Sequence, residues 1–296
     1  MGVAILIFDI IPVYTVISVL ALMLILPMAP FAINAHRSLT FIILAIFISS
    51  TIYTWFTFPF TQQDPVHIYF AQTVDLHPSS SDIERITTTL AGPKQYLQSH
   101  IIPLLPSAYN ASIQCDDTPD FNRLGLQTCK WEAGNGMAPS PGGNQRDQGA
   151  WINASIVRIG DTRARVVLRG QNTRNCNIEL GNRRIIQVAV AGDGGKGLQA
   201  GYGIPDDGSD TLLLWGRDFG KEFEVDLAWK GDASPAENVT GYVSCNWAEY
   251  ESGTVGGGGT GGKIPSLEEV IQFLPEWAVV VEAGAALFEA RTYFEI

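Results

Sequence analysis

Hydrophobic residues divide this chain into two unlike parts. Residues 1–60 are apolar almost without a break; beyond them, apolar positions come in short runs separated by Gly, Pro, Asn and Asp. Residues 39–60 carry no charge. As a helix they would reach roughly 33 Å, enough to cross a bilayer core. Tyr53 and Trp55 lie in the final third, where amphipathic rings prefer the headgroup layer, and the Ser and Thr hydroxyls can bond back to helix carbonyls. A second apolar stretch, 10–28, is also long enough to span. Its alternative is a cleaved signal peptide, but no Lys or Arg precedes Arg37 to make a basic leader. The connecting loop, 34–37, holds the only basic residue of this region, which favours a cytosolic loop and a lumenal or outer position for residues 61–296. Asp9 interrupts the apolar sequence, either reaching the interface or marking an ion path.

After residue 60 the period changes to two. Phe223, Val225, Leu227 and Trp229 alternate with Glu222, Glu224 and Asp226, the signature of a strand with one wet face. Further strands are expected at 66–74, 85–90, 151–158, 164–168, 185–191, 211–215 and 242–247. The separations are mostly loop-sized and leave little room for crossover helices, which favours an antiparallel sheet or sandwich. A short helix is expected at 93–102, with Pro93 at its first position and Pro103 stopping it. Another opens at Ser266, where Ser266 and Glu269 fit a capping box, and is limited by Pro275. Residues 135–149 and 255–263 read as a loop and a glycine-rich connection, and 277–281 as a segment that packs back on the domain. The fold expected is thus two N-terminal transmembrane helices (1–60) followed by a mainly β lumenal domain (61–296) with a few short helices.

Composition sharpens this picture. Only Asp9 and Arg37 are charged among the first 60 residues, so the whole net charge of −11 belongs to residues 61–296. An acidic domain repels nucleic-acid phosphates, so no nucleic-acid partner is expected. All four cysteines, Cys115, Cys129, Cys176 and Cys245, lie beyond the apolar part, as do three Asn-x-Ser/Thr sequons at Asn110, Asn153 and Asn238. Together they suit an oxidising, glycosylating compartment. Of three possible pairings, Cys115 with Cys129, closing a local loop, and Cys176 with Cys245, stapling neighbouring strands, is the one preferred.

The motifs that would carry chemistry do not assemble. Residues 192–197 match G-x-G-x-x-G, but a dinucleotide site needs a helix to begin there, and residues 198–209 are instead full of Gly, Pro and Asp. Residues 257–263 space like a phosphate loop, yet Ile264 stands where Ser or Thr must bind magnesium. The pairs Asp116–Asp117, Asp206–Asp207 and Glu268–Glu269 suggest metal carboxylates. The only histidines are His36, His67, His77 and His100, with no HExxH among them and none downstream. There is no Gly-x-Ser-x-Gly elbow. No catalytic, metal or cofactor residue is assigned. Trp131, Trp151, Trp215, Trp229 and Trp247 are candidates for a glycan- or peptide-binding surface, or for core.

Seven short stretches resemble, in order, the C-terminal region of the fungal vacuolar membrane protease family: 69–75 (YFAQTVD), 101–107 (IIPLLPS), 125–132 (GLQTCKWE), 172–176 (NTRNC), 214–217 (LWGR), 264–270 (IPSLEEV) and 293–296 (YFEI). The resemblance implies a multipass vacuolar membrane protein whose zinc-dependent, aminopeptidase-like domain precedes a helix bundle and a lumenal C-terminal domain. None of the matching positions belongs to that family's zinc site, so zinc is expected only in a catalytic domain outside these residues. The expected partners are the lipid bilayer and a peptidase domain or further membrane helices. The alternative is a free-standing, membrane-anchored binding module.

Overall fold

The structure is a computed structural model that describes residues 37–78, 82–117, 126–139, 151–190, 203–231, 238–247, 263–282 and 286–296. The chain divides into two compact units, Met1–Pro59 and Phe60–Ile296.

In the first unit, helix α1 spans Arg37–Phe56. Its hydroxyls do bond back to the backbone: Ser50 Oγ and Thr51 Oγ1 donate to Phe47 O at 2.9 and 2.8 Å, and Thr57 Oγ1 donates to Tyr53 O at 2.7 Å. The helix stops short of the expected end at residue 60, because Pro59 disfavours helical geometry at Phe58. Among the described residues no helix is long and apolar enough to cross a membrane. The other expected span, 10–28, with Asp9 and the loop residues 34–36, lies outside the described residues.

The second unit is mainly β, as expected, in two sheets. Its strands are β1 (Val66–Leu76), β2 (Ile83–Pro93), β3 (Gln114–Asp117), β4 (Leu126–Glu132), β5 (Ile152–Gly160), β6 (Arg163–Gly170), β7 (Asn175–Leu180), β8 (Ile185–Val190), β9 (Thr211–Trp215), β10 (Glu222–Trp229), β11 (Thr240–Trp247), β12 (Ala278–Glu282) and β13 (Phe288–Glu295). The larger sheet has nine strands in the order β3-β4-β2-β1-β13-β11-β7-β9, with β12 beside the first half of β1; the smaller runs β5-β6-β10-β8. Pairing is antiparallel with one correction to the expectation: β1 runs parallel to β12 through Val66–Phe70 and to β13 through Gln72–Leu76. The crossover between such parallel strands is the rest of the domain rather than a helix, which is why the loop-sized separations did not reveal it.

One core lies between the inner faces of the two sheets. Phe288 of β13 packs against Trp151 and Trp247, with ring centroids 5.2 and 5.3 Å away. Where β6 passes the larger sheet there is no room for a side chain: a Cβ on Gly170 would lie 2.8 Å from Cys245 Sγ and closer still to Thr173. The Asn172 turn after it adopts φ 50°, a left-handed value that Asn tolerates.

The helices depart from expectation in detail. After β2 the chain makes one α turn at Lys94–Tyr96, a π turn at Leu97–Ile101 and two 3₁₀ turns at Ile102–Leu104 and Pro106–Ala108. Helix α2 covers Pro265–Phe273, with Pro265 at its first position and Ile264 as N-cap. The expected capping box does not form, because proline takes the first helical position and moves Ser266 one step inside. Both side chains turn inward instead. Gln72 Nε2 donates to Ser266 Oγ at 2.8 Å, and Ser107 N donates to Glu269 Oε1 at 2.6 Å. These bonds fasten α2 to β1 and to the last 3₁₀ turn.

Candidate functional site

The alternation that buries Phe70, Val74, Phe288, Ala290, Val243 and Cys245 sends their neighbours to the outer face of the larger sheet. Register then assembles two rows, one across five strands and one across three. Arg85, Asp75, Arg291, Ser244 and Asn177 stand side by side on β2, β1, β13, β11 and β7; next to them run Tyr293, Tyr242 and Glu179. Arg291 Nη2 donates to Glu289 Oε2 at 2.6 Å, and its guanidinium lies 5.1 Å from the centre of the Tyr242 ring. Arg85 reaches Asp75 at 3.4 Å, and the Tyr293 hydroxyl donates to the same carboxylate at 3.4 Å. The Tyr242 hydroxyl donates to Glu179. Ser244 Oγ, Asn175 Oδ1 and Arg291 Nε are buried without a partner among the described residues.

Burial dominates the electrostatics of this face. It raises the Asp75 carboxyl above its ordinary value, and the opposing attraction of Arg291 and Arg85 does not cancel it. Burial, then the bond to Glu179, push the Tyr242 phenol far above its usual range; burial and Asp75 raise Tyr293. For Arg291 burial opposes the charge, but the Glu289 carboxylate outweighs it and holds the guanidinium protonated. Both phenols therefore stay neutral. They can stack and exchange hydrogen bonds, and they are poorly suited to act as nucleophiles. Beside them a cleft of about 540 Å³ opens between β7, β11 and β13, walled by Tyr242, Tyr293 and Glu179. Gly241 forms part of its floor and is required there: a Cβ would meet Glu179 O at 2.2 Å.

Most residues singled out from sequence prove to be structural. Cys115 is bonded to Cys129 across β3 and β4, and Cys176 to Cys245 across β7 and β11. Asn110, Asn153 and Asn238 are all exposed. Trp131, Trp151, Trp229 and Trp247 are core; only Trp215, 60 % exposed on the edge strand β9, remains on the surface. Each carboxylate pair has at least one member engaged: Asp117 by Lys94 at 3.1 Å, Asp207 by Arg184 at 2.9 Å, Glu268 by Lys263 at 3.2 Å, and Glu269 by the backbone of Ser107. Among the described residues no three His, Cys, Asp or Glu side chains come together to hold a metal ion. Residues 192–197 and 257–262 lie outside the described residues. Sequence reasoning did not find Arg291, Tyr293, Tyr242 or Glu179. The alternation of Glu289, Arg291 and Tyr293 with Phe288, Ala290 and Thr292 was the available signal.

Comparison with known proteins agrees with the short stretches. The family described as vacuolar membrane protease, C-terminal domain, matches residues 66–290. Vacuolar membrane proteases of Laccaria bicolor and Coprinopsis cinerea are 34% and 36% identical over 96% of this chain, which covers 32% and 31% of their lengths. The chain thus spans about a third of the curated relatives it matches. Among solved structures, the yeast delta-COP-I mu-homology domain aligns with 78% of this chain and 95% of its own at 8% identity, with a TM-score of 0.26, too low to carry an argument. On the family match, this chain belongs to the vacuolar membrane protease family and carries its C-terminal domain.

Proposed function

We propose that this chain is the non-catalytic, membrane-anchored C-terminal portion of a vacuolar membrane protease. Its β domain lies on the lumenal side and supports a zinc-dependent catalytic domain carried elsewhere in the full-length protein. The observation behind this reading is the match of residues 66–290 to the family's C-terminal domain, in a chain about a third the length of its relatives. The anchor is supported by α1, where the successive residues Phe41, Ile42, Ile43 and Leu44 point to all sides of the helix and are all exposed, a surface suited to lipid; the apolar stretch 10–28 would complete a hairpin. Two disulfides favour an oxidising lumen, where the exposed Asn110, Asn153 and Asn238 would carry glycans.

Metal analysis of the purified full chain tests this reading. Substoichiometric zinc is expected; one zinc per chain would overturn it. A second reading, a free-standing binding module, is favoured by the aromatic cleft and by Trp215. An immunoblot of native membranes separates the two: a band several-fold heavier than 32.2 kDa fits the protease, and one near that mass fits the module.

A further inference from the structure

The third sequon and the aromatic cleft are the same piece of structure. Asn238 Nδ2 donates to Glu295 Oε1 at 2.7 Å, and Glu295 lines the cleft. Thr240, the hydroxyl residue of the sequon, lines it too. The segment between them is held in place. Val239 exchanges backbone bonds with Ile296 at 2.8 and 3.0 Å, while Asn182 Nδ2 donates to Asn238 O at 2.9 Å and Asn182 Oδ1 accepts from Thr240 N at 3.2 Å. A sugar attached at Nδ2 therefore starts at the mouth of the cleft on a fixed backbone. Asn110, in a turn, and Asn153, on β5, do not line it.

The cleft has the chemistry of a sugar site. Tyr242 and Tyr293 form a wedge, with centroids 5.8 Å apart and planes at 60°. Such surfaces take the C–H faces of a sugar, while carboxylate oxygens accept from its hydroxyls and amide. Among the described residues Glu179 and Glu295 each spend one oxygen on a bond within the protein and keep the other. The volume, about 540 Å³, falls within the range of sites that hold small ligands, roughly 300–1,000 Å³.

We propose that the cleft is the seat of the chain's own Asn238 glycan, whose first sugars pack against Tyr242 and Tyr293. This rests on the lumenal, glycosylated reading above. Attachment uses a polyprenyl-pyrophosphate-linked oligosaccharide. The bond from Nδ2 to the anomeric carbon forms, the bond from that carbon to the phosphate oxygen breaks, and one amide proton is lost. The second amide hydrogen remains to donate to Glu295.

The test is site-resolved deglycosylation of the full chain from a glycosylating fungal host. Peptide N-glycosidase is applied to native and to denatured protein, and each Asn is read by mass spectrometry. Release at Asn238 is expected to be at least tenfold slower than at Asn110 and Asn153 in the native protein, and equal after denaturation. Tyr293→Ala, which leaves the sequon intact at a partly exposed ring, is expected to bring Asn238 up to the rate of the other two. Equal native rates at all three sites in the unsubstituted chain would overturn the seat while leaving glycosylation standing. A denatured sample with no glycan at Asn238 would overturn both.

Discussion

The two sheets spend their outer faces differently. The smaller sheet presents a solvent face of exposed charge pairs: Arg165 holds Asp226 at 2.7 Å and Glu224 at 3.4 Å, with all three side chains well exposed. The larger sheet half-buries its outer charges, so that Arg291 pairs with Glu289, and Asp75 with Arg85 and the Tyr293 hydroxyl. An exposed pair is screened by water and contributes little to stability. A half-buried network loses hydration and stays in place only because each charge has a partner. The first arrangement suits a surface that needs only to be soluble, the second a surface shaped for contact.

The largest expected effect concerns how each part of the larger sheet is stapled. Replacing Cys176 and Cys245 together by Ala frees a loop of 69 residues and is expected to cost about 4 kcal/mol, against about 3 kcal/mol for Cys115 and Cys129, which are 14 apart. Denaturant midpoints of the two double variants check the order. An equal loss would mean that strain or residual structure, rather than loop closure, sets the contribution.

The next effect turns on pH, where the two sheets should have opposite slopes. Asp75 has its folded pKa raised, so the folded state binds the proton more tightly; its contribution is full below the ordinary value of 3.8 and is lost as pH rises through the higher folded value. Asp226 is lowered, first by its bond to Arg165, so its contribution is present above 3.8 and is lost as pH falls through the lower folded value. Asp75→Asn should therefore flatten the alkaline-going loss and Asp226→Asn the acid-going one. Denaturant midpoints measured from the acid limb to neutrality decide this, and a common slope for both variants would break the distinction.

The smallest effect is at the edge. Trp215→Ala should change stability by less than about 0.5 kcal/mol, because the ring is largely in water. Trp131→Ala, fully buried in the same sheet, should cost about 4 kcal/mol. Thermal melts of the pair sharpen the line between core and contact surface.

The same contrast explains what the sequence revealed. The four strands of the smaller sheet have one dry and one wet face, and the alternation through Phe223, Val225 and Leu227 made β10 legible residue for residue. In the larger sheet the outer face is itself half-buried. Ser244 and Asn246 are as hidden as Val243 and Cys245, and the period of β11 blurs toward its end. β13 escaped notice for the related reason that its outward residues are an ion pair and a tyrosine rather than a plain polar row. The site was hardest to read because Asp75 and Arg291 meet only through a parallel register that joins distant parts of the chain. No local pattern encodes that meeting.

That register also sets a schedule. Of the domain's strands β1 is made before the rest and can pair with β2 at once, but Gln72 must wait for Phe288, and Val66 for Ala278, before its other edge is closed. From the synthesis of β1 until that of β12 and β13, the central strand of the domain carries an open, hydrogen-bonding margin, the kind of edge that invites misassembly. Contacts this distant in sequence form slowly. Maturation of the domain is therefore a problem of custody: something must keep β1 from wrong partners until the last strand arrives to claim it.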